Sequence, residues 1–292
     1  NGNGQLVYNG SFAENVFSGR GEIYYSNGIL AYEGDFSENL YNGQGKLFDE
    51  NGNLIYEGMF VNGQRDGMGN EYYPTENLKY DGAFKNGKYE GKGTLYYADG
   101  KEKYKGEFIG GEYNGSGKLY MEDGMSFEGQ FENGVYSGQG IIYREKGTKL
   151  YEGNFKNGMY DGSGTVFYES GTPKYTGEFK SDQYYGQGIV YDEEQNIVYE
   201  GNFVDGQYHG AGTLYEEGRI LYQGEFFNGV YQGQGKLYYS DSDSVKLEGE
   251  FIKGKLNGKG VFYNRAGKLI YNGIFSNGSV SYGYLLGMPV DE

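Results

Sequence analysis

The sequence predicts an all-β fold, namely an elongated single-layer antiparallel sheet of about twelve stacked β-hairpins that twists like a ribbon. Three observations predict it. A Tyr-x-Gly-x-Phe element recurs every 23 to 25 residues, and a Gly-x-Gly element follows its Phe by seven residues. Aromatic residues occupy two further fixed places in nearly every copy. This periodicity explains how a chain with 56 Gly can also hold 35 Tyr and 18 Phe, because the glycines and the rings belong to one repeated pattern.

The copies of the Tyr-x-Gly-x-Phe element define the domain organisation. They begin at Tyr8, Tyr32, Tyr56, Tyr80, Tyr104, Phe127, Tyr151, Tyr175, Tyr199, Tyr222, Leu247 and Tyr271. Residues 8–278 are therefore predicted to be one repeat array. Residues 1–7 are expected to be the end of a preceding truncated repeat, and residues 279–292 a degenerate C-terminal repeat and cap. Since the chain does not begin with Met, we expect a further segment upstream.

Each repeat reads as two strands joined by a tight turn. Tyr, Gly and Phe fall at alternate positions, which places them on one face of a β-strand, and the residues between them are mostly polar. Many copies carry Asn-Gly shortly after the Phe, as at Asn86-Gly87. Asn-Gly between alternating segments is the strongest local signal for a hairpin with a type I′ turn. The Gly-x-Gly segment is therefore expected to run back as the second strand.

A two-residue turn at Asn86-Gly87 predicts the register of the fourth copy. The ring of Tyr80 then lies over the bare backbone of Gly93, which offsets part of the cost of glycine in a sheet. Gly91 is expected to face a ring as well, so a Gly91→Val variant should clash with it and lose cooperative unfolding. The expected pairs are Phe84–Tyr89, Gly82–Gly91, Tyr80–Gly93, Leu95–Tyr104 and Gly91–Phe108.

The pattern resembles the MORN (membrane occupation and recognition nexus) repeat. Tyr56-Glu57-Gly58-Met59-Phe60-Val61-Asn62-Gly63, followed by Gly67-Met68-Gly69, carries the resemblance, and similar copies span residues 4 to 286. The resemblance implies a single-layer ribbon of hairpins with a groove of repeated aromatic and glycine positions. It also implies a binding or scaffolding role, in which such arrays dock partner peptides, dimerise, or lie beside membranes or catalytic domains. This chain has Phe where many members of the family have Trp.

Composition excludes several classes of function. The formal net charge of −16 disfavours nucleic acid and anionic lipid, because both attract cationic proteins. The absence of Cys excludes disulfides and cysteine-based metal sites, and the single histidine, His209, excludes a histidine-rich metal site. No apolar run reaches the 18 residues that a membrane helix needs. We therefore expect no enzyme, no catalytic residue, no metal site and no cofactor.

Three other features have simple structural interpretations. The Gly-x-Gly pairs lack the third glycine of a dinucleotide site, so they are expected to make room for rings. His209 is expected to be a solvent-facing substitution, and the acidic clusters near residues 193, 216 and 241 to be solvated turns. The irregular residues Arg65, Asp66 and Arg144 are expected to select the partner.

The functional hypothesis is a non-catalytic scaffold that binds a protein or peptide, one with a basic component, through an aromatic groove, and that can self-associate. A glycan-binding or adhesive surface module and a membrane-proximal anchoring module are the alternatives. The cellular location stays open. The residues expected to line the groove are Phe84, Tyr89, Phe108, Tyr113, Phe131, Tyr136, Phe155, Tyr160, Phe179, Tyr184, Phe203 and Tyr208.

Overall fold

The structure, a computed structural model, describes residues 7–285. These residues form β-strands and turns and contain no helix, so they also hold no helix of the length and apolar character that a membrane crossing requires. Every described pairing is antiparallel and joins strands that are consecutive in the sequence. The predicted all-β hairpin fold is confirmed.

Contacts within the chain divide it into two units, Asn1–Gly140 and Ile141–Glu292. The strands of the first unit are β1 (Tyr8–Ala13), β2 (Val16–Tyr24), β3 (Leu30–Ser37), β4 (Leu40–Phe48), β5 (Leu54–Val61), β6 (Gln64–Tyr72), β7 (Leu78–Lys85), β8 (Lys88–Tyr96), β9 (Glu102–Ile109), β10 (Glu112–Tyr120) and β11 (Ser126–Glu132). The boundary falls within β12 (Val135–Tyr143).

The second unit continues with the same alternation of strands. Its strands are β13 (Lys149–Lys156), β14 (Met159–Phe167), β15 (Pro173–Lys180), β16 (Gln183–Tyr191), β17 (Ile197–Val204), β18 (Gln207–Glu216), β19 (Arg219–Phe227), β20 (Val230–Tyr238), β21 (Val245–Ile252), β22 (Lys255–Tyr263), β23 (Leu269–Ser276) and β24 (Ser279–Leu285). Residues 1–6 of the predicted truncated repeat and residues 286–292 of the predicted cap lie outside the described residues.

Two-residue turns close the hairpins. In the first unit Asn86 and Gly87 have φ angles of 49° and 80°, and in the second Asn157 and Gly158 have φ angles of 52° and 81°. A type I′ turn requires positive φ at both positions, which Asn and Gly adopt at low cost. The predicted turn is therefore confirmed in both units.

The pairing of β7 with β8 contains a bulge that the sequence did not reveal. Phe84 lies opposite Tyr89, as predicted, but Gly82 pairs with Gly93, so the predicted Gly82–Gly91 pair is wrong. The register shift leaves two extra residues on β8, of which Gly91 has a φ of 64°. Glycine suits this bulge because it adopts the left-handed region without strain.

Because of the bulge, Gly91 and Gly93 have different surroundings. Tyr80 pairs with Leu95 and not with Gly93, a second correction, but its ring does cover Gly93, since a Cβ built there would lie 2.3 Å from Tyr80 Oη. A Cβ at Gly91 would meet nothing within 4 Å, so the clash expected in a Gly91→Val variant is wrong. The pairs predicted on the other side of β8 are confirmed, namely Leu95–Tyr104 and Gly91–Phe108.

Candidate functional site

One face of each hairpin contributes to an aromatic layer. It is built from the Tyr that begins the repeat, the Phe that ends the Tyr-x-Gly-x-Phe element, and the ring five residues after that Phe. In the second copy Tyr41 stacks on Tyr32 with ring centroids 3.7 Å apart, while Phe36 and Phe60 meet Tyr32 edge-on at 5.1 and 5.4 Å. Such pairs contribute about 0.5–1.5 kcal/mol each beyond the area they bury. Because Phe60 belongs to the next copy, the layer ties neighbouring hairpins together.

The hydroxyl of the first tyrosine is satisfied inside the repeat. Tyr32 is 0 % exposed, and its Oη donates a hydrogen bond to the carbonyl oxygen of Asp35 at 3.0 Å. Asp35 lies opposite the bulge, where the strand register shifts. Burial raises the pKa of Tyr32 far above its usual range, and raises the pKa of Tyr56 to about 12. These rings are therefore structural, neutral and inaccessible.

The twelve predicted groove residues divide equally between the units. Phe84, Tyr89, Phe108, Tyr113, Phe131 and Tyr136 lie in the first unit, and Phe155, Tyr160, Phe179, Tyr184, Phe203 and Tyr208 in the second. The six phenylalanines are only 1–4 % exposed, whereas the six tyrosines are partly exposed. An incoming molecule can therefore reach the tyrosine of each copy but hardly its phenylalanine.

The third copy interrupts the layer with an ionic cluster. Arg65 takes the place of the stacked tyrosine, with its guanidinium carbon 5.4 Å from the ring centroid of Tyr56. Glu71 pairs with Arg65 at 3.2 Å and with Lys79 at 3.2 Å, and accepts a hydrogen bond from Tyr89 Oη at 2.6 Å. Burial alone would raise the pKa of Glu71, but this hydrogen bond and the two cations lower it. Arg65 was expected to select the partner, but its guanidinium is held within the aromatic layer by Tyr56 and Glu71.

We expect a Glu71→Leu variant to lose about 1–3 kcal/mol of unfolding free energy at pH 7, because Arg65, Lys79 and Tyr89 lose their common partner. The double variant Arg65→Tyr/Glu71→Leu restores the residue types of the other copies and is expected to be at least as stable as the wild type. The Glu71 contribution is present above the unfolded pKa and is lost as the pH falls through the lowered folded pKa. Urea unfolding at pH 7 measures the stability of both variants, and unfolding at pH 3 shows whether the Glu71 contribution is lost in acid. A double variant that is less stable than Glu71→Leu alone would contradict this role of Glu71.

A second aromatic row lies on the opposite face of the strands. Glu200 follows the buried Tyr199 in the same strand, so its side chain points to the opposite face. Tyr215 lies on that face too, because its Oη donates a hydrogen bond to Glu200 Oε1 at 2.6 Å. Tyr191 occupies the same repeat position and is partly exposed. The sequence showed the periodicity of this row, but no groove residue was predicted from it.

The turns between repeats carry a further contact that the sequence did not reveal. Tyr97 Oη donates to the carbonyl oxygen of Tyr120, one repeat later, at 2.8 Å. Arg144 replaces this tyrosine in the turn that follows β12, and its Nη2 donates to the carbonyl oxygen of Phe167 at 2.7 Å. A guanidinium can thus make the same bond between repeats as a phenol.

The remaining polar candidates form no evident site. His209 packs 5.2 Å from Phe227, and its Nδ1 is buried with no hydrogen-bond partner among the described residues, so it is less solvent-facing than expected. Glu193, Glu194 and Asp243 are exposed in turns. Within residues 7–285, no three acidic or histidine side chains are grouped so as to hold a metal ion.

The repeats match a known family model. The model of the MORN repeat matches residues 8–29, 32–54, 56–77, 80–102, 104–126, 127–149, 151–172, 199–216, 222–244 and 248–267. A comparison with curated proteins gave no match. MORN repeats generally mediate association with proteins or membranes and are generally non-catalytic. Since these ten segments cover about three quarters of its length, the chain belongs to the MORN repeat family.

Proposed function

We propose that this chain is a non-catalytic scaffold that binds a protein or peptide through the partly exposed tyrosines of its aromatic layer. The observation that carries the proposal is the row of stacked tyrosines, present in eight of the twelve copies, each held on one side by a buried ring. Tyr160 stacks on Tyr151 at 3.7 Å and Tyr184 on Tyr175 at 3.7 Å, with interplanar angles of 6° in both pairs. Each accessible ring is therefore already fixed in orientation before a partner arrives.

Fixed tyrosines suit a binding surface for a physical reason. A ring that is already immobilised loses little conformational entropy on binding, and its hydroxyl can still form a hydrogen bond. The buried phenylalanines act indirectly, since they meet the tyrosine edges and hold them in place; Phe179, for example, lies 5.6 Å from Tyr184. The net charge of −16 favours a partner with a basic segment, because opposite charge speeds association and selects against acidic proteins.

Site-specific crosslinking tests which face the partner occupies. We expect p-benzoylphenylalanine at position 160 to crosslink a partner protein in cells that make this chain, and the same residue at position 191, on the opposite face, not to do so. With that partner purified, Tyr160→Ala should weaken binding about tenfold or more, and Tyr191→Ala about twofold or less. Circular dichroism of both variants checks that the sheet is retained.

Other outcomes assign the surface differently. Crosslinks only from position 191 would contradict the proposal. Binding of glycans or of anionic vesicles that is lost in Tyr160→Ala would assign the same surface to a sugar or a membrane. Light scattering that shows a dimer abolished by Tyr160→Ala would make the partner a second copy of the chain.

A further inference from the structure

The fifth copy, which begins at Tyr104, is one residue short, and the missing residue would stand directly before Phe127. Most pairings between the end of one repeat and the start of the next contain a bulge with one extra residue on the second strand, such as Lys103 in β8–β9 or Ile55 in β4–β5. The pairing of β10 with β11 has no register shift and places Tyr120 directly opposite Ser126. The step of 23 residues from Tyr104 to Phe127 has thus removed the bulge residue.

A cleft of about 770 Å³ lies at this junction, between the turns that follow β8 and β10. Elsewhere the bulge residue packs beside the turn; Lys103, for example, lies with Nζ 5.3 Å from the ring centroid of Tyr97. The junction between the fifth and sixth copies lacks the equivalent side chain. The side chains that line the cleft include Tyr97, Tyr120, Met121, Met125, Glu102 and Glu122.

The cleft has an apolar and adaptable wall. Met121 and Met125 both line it, and methionine side chains adjust readily to ligands of different shape. The backbone around them is fixed, because Met121 N donates to the carbonyl oxygen of Met125 at 2.8 Å and Tyr97 Oη donates to that of Tyr120 at 2.8 Å. The lining can therefore accept an alkyl chain without loss of its own hydrogen bonds.

The charged groups at the cleft determine which ligand charge it favours. Asp99 is neutralised by Lys101, whose Nζ lies 2.9 Å from its Oδ2. Glu102 and Glu122 also line the cleft, and neither forms an ion pair within the described part of the chain. Burial raises the pKa of Tyr97, and the negative charges of Glu122, Asp123 and Asp99 raise it further. The cleft therefore presents two uncompensated carboxylates above an apolar wall.

We propose that this cleft binds a cationic group on an apolar stem, meaning the ammonium or guanidinium of a lysine or arginine side chain in a partner, or a free alkylamine. The stem would lie along Met121 and Met125 while the cation meets Glu102 and Glu122. The cleft shares no residue with the tyrosine row, so either site can bind without the other.

Methyl resonances of methionine provide a direct test on the full chain. With ¹³C-methyl methionine, addition of hexylamine should shift the signals of Met121 and Met125 but not those of Met59 and Met159, which lie outside the cleft. Methionine-to-leucine variants assign the signals. A parallel titration with N-acetyl-lysine methylamide shows whether a side chain on a peptide backbone is bound as well as a free amine.

Variants and a neutral probe decide the role of charge. Glu102→Gln/Glu122→Gln should weaken hexylamine binding about tenfold, while Glu50→Gln/Glu76→Gln, which removes the same charge from other turns, should change it about twofold or less. Hexan-1-ol should bind much more weakly than hexylamine. Equal shifts with hexanol, equal weakening in both double variants, or no shift of Met121 and Met125 would each overturn the proposal.

Discussion

A Gly93→Ala variant is expected to lose about 3–5 kcal/mol of unfolding free energy, the cost of removing a buried aromatic side chain from its place. A Cβ at this position would lie 2.3 Å from Oη and 2.5 Å from Cζ of Tyr80. Tyr80 is 0 % exposed and Tyr89 stacks on it at 3.9 Å, so its ring can yield only by leaving the layer. The hydrogen bond from Tyr80 Oη to the carbonyl oxygen of Ala83 would be lost with it.

The matched control is Gly91→Ala, two residues earlier in the same strand. Gly91 has a φ of 64° and open space around its Cα, so alanine there meets no ring and incurs only backbone strain of about 1–2 kcal/mol. Urea unfolding followed by circular dichroism measures both variants. Equal losses at the two positions would show that positive φ, and not the ring of Tyr80, determines where glycine is needed.

A double-mutant cycle separates the clash from any other role of Gly93. Tyr80→Ala alone should cost about 3–5 kcal/mol through the loss of the buried ring. Adding Gly93→Ala to that variant should cost little more, about 0.5 kcal/mol or less, because the atoms that a Cβ would meet are gone. Additive losses would mean that the cost of Gly93→Ala does not come from a clash with the ring of Tyr80.

Much of the fold could be predicted because the repeat imposes the same local choices in every copy. Alternation placed Tyr80 and Phe84 on one face, and Asn86-Gly87 located the turn, so the Phe84–Tyr89 pair followed. The bulge could not be predicted, because the sequence gives glycine at both position 91 and position 93 and does not show their backbone conformations. Only the structure shows that one adopts positive φ while the other lies under a ring.

The sequence predicted which residues share the face of the candidate site, but not which of them are exposed to solvent. Phe84 and Tyr89 share a face, but the structure alone shows that the first is buried and the second partly exposed. Likewise Arg65 and Glu71 are separate exceptions in the sequence, six residues apart. They meet because Arg65 lies over the ring of Tyr56 while the bulged strand pairs Glu71 with the same tyrosine, which no periodicity indicates.

Alkaline pH is expected to unfold this protein cooperatively. The buried tyrosines must stay neutral, and burial raises the pKa of Tyr56 and of Tyr104 to about 12, with Tyr32, Tyr80 and Tyr175 raised further. Because these folded pKa values exceed the unfolded value near 10, the stability is fully present below about pH 10 and is lost as the pH rises towards the folded pKa. A group with a folded pKa of 12 costs about 2 kcal/mol at pH 12, and the costs of many such groups add. The part of the tyrosinate absorbance that comes from the buried rings should therefore appear together with the loss of the circular dichroism of the sheet, in one step.

The variant Tyr56→Phe/Tyr104→Phe distinguishes this mechanism from general charge repulsion. Phe127 occupies the same repeat position, so the layer accepts phenylalanine there. At pH 7 the variant should be about 2 kcal/mol less stable, because it lacks two hydrogen bonds to backbone carbonyls. At pH 12 that deficit should vanish or reverse, since two groups that oppose folding are gone, whereas Tyr282→Phe, at a ring that is 77 % exposed, should leave the alkaline midpoint unchanged. A deficit that stays constant from pH 7 to pH 12 would show that the buried hydroxyls do not control alkaline unfolding.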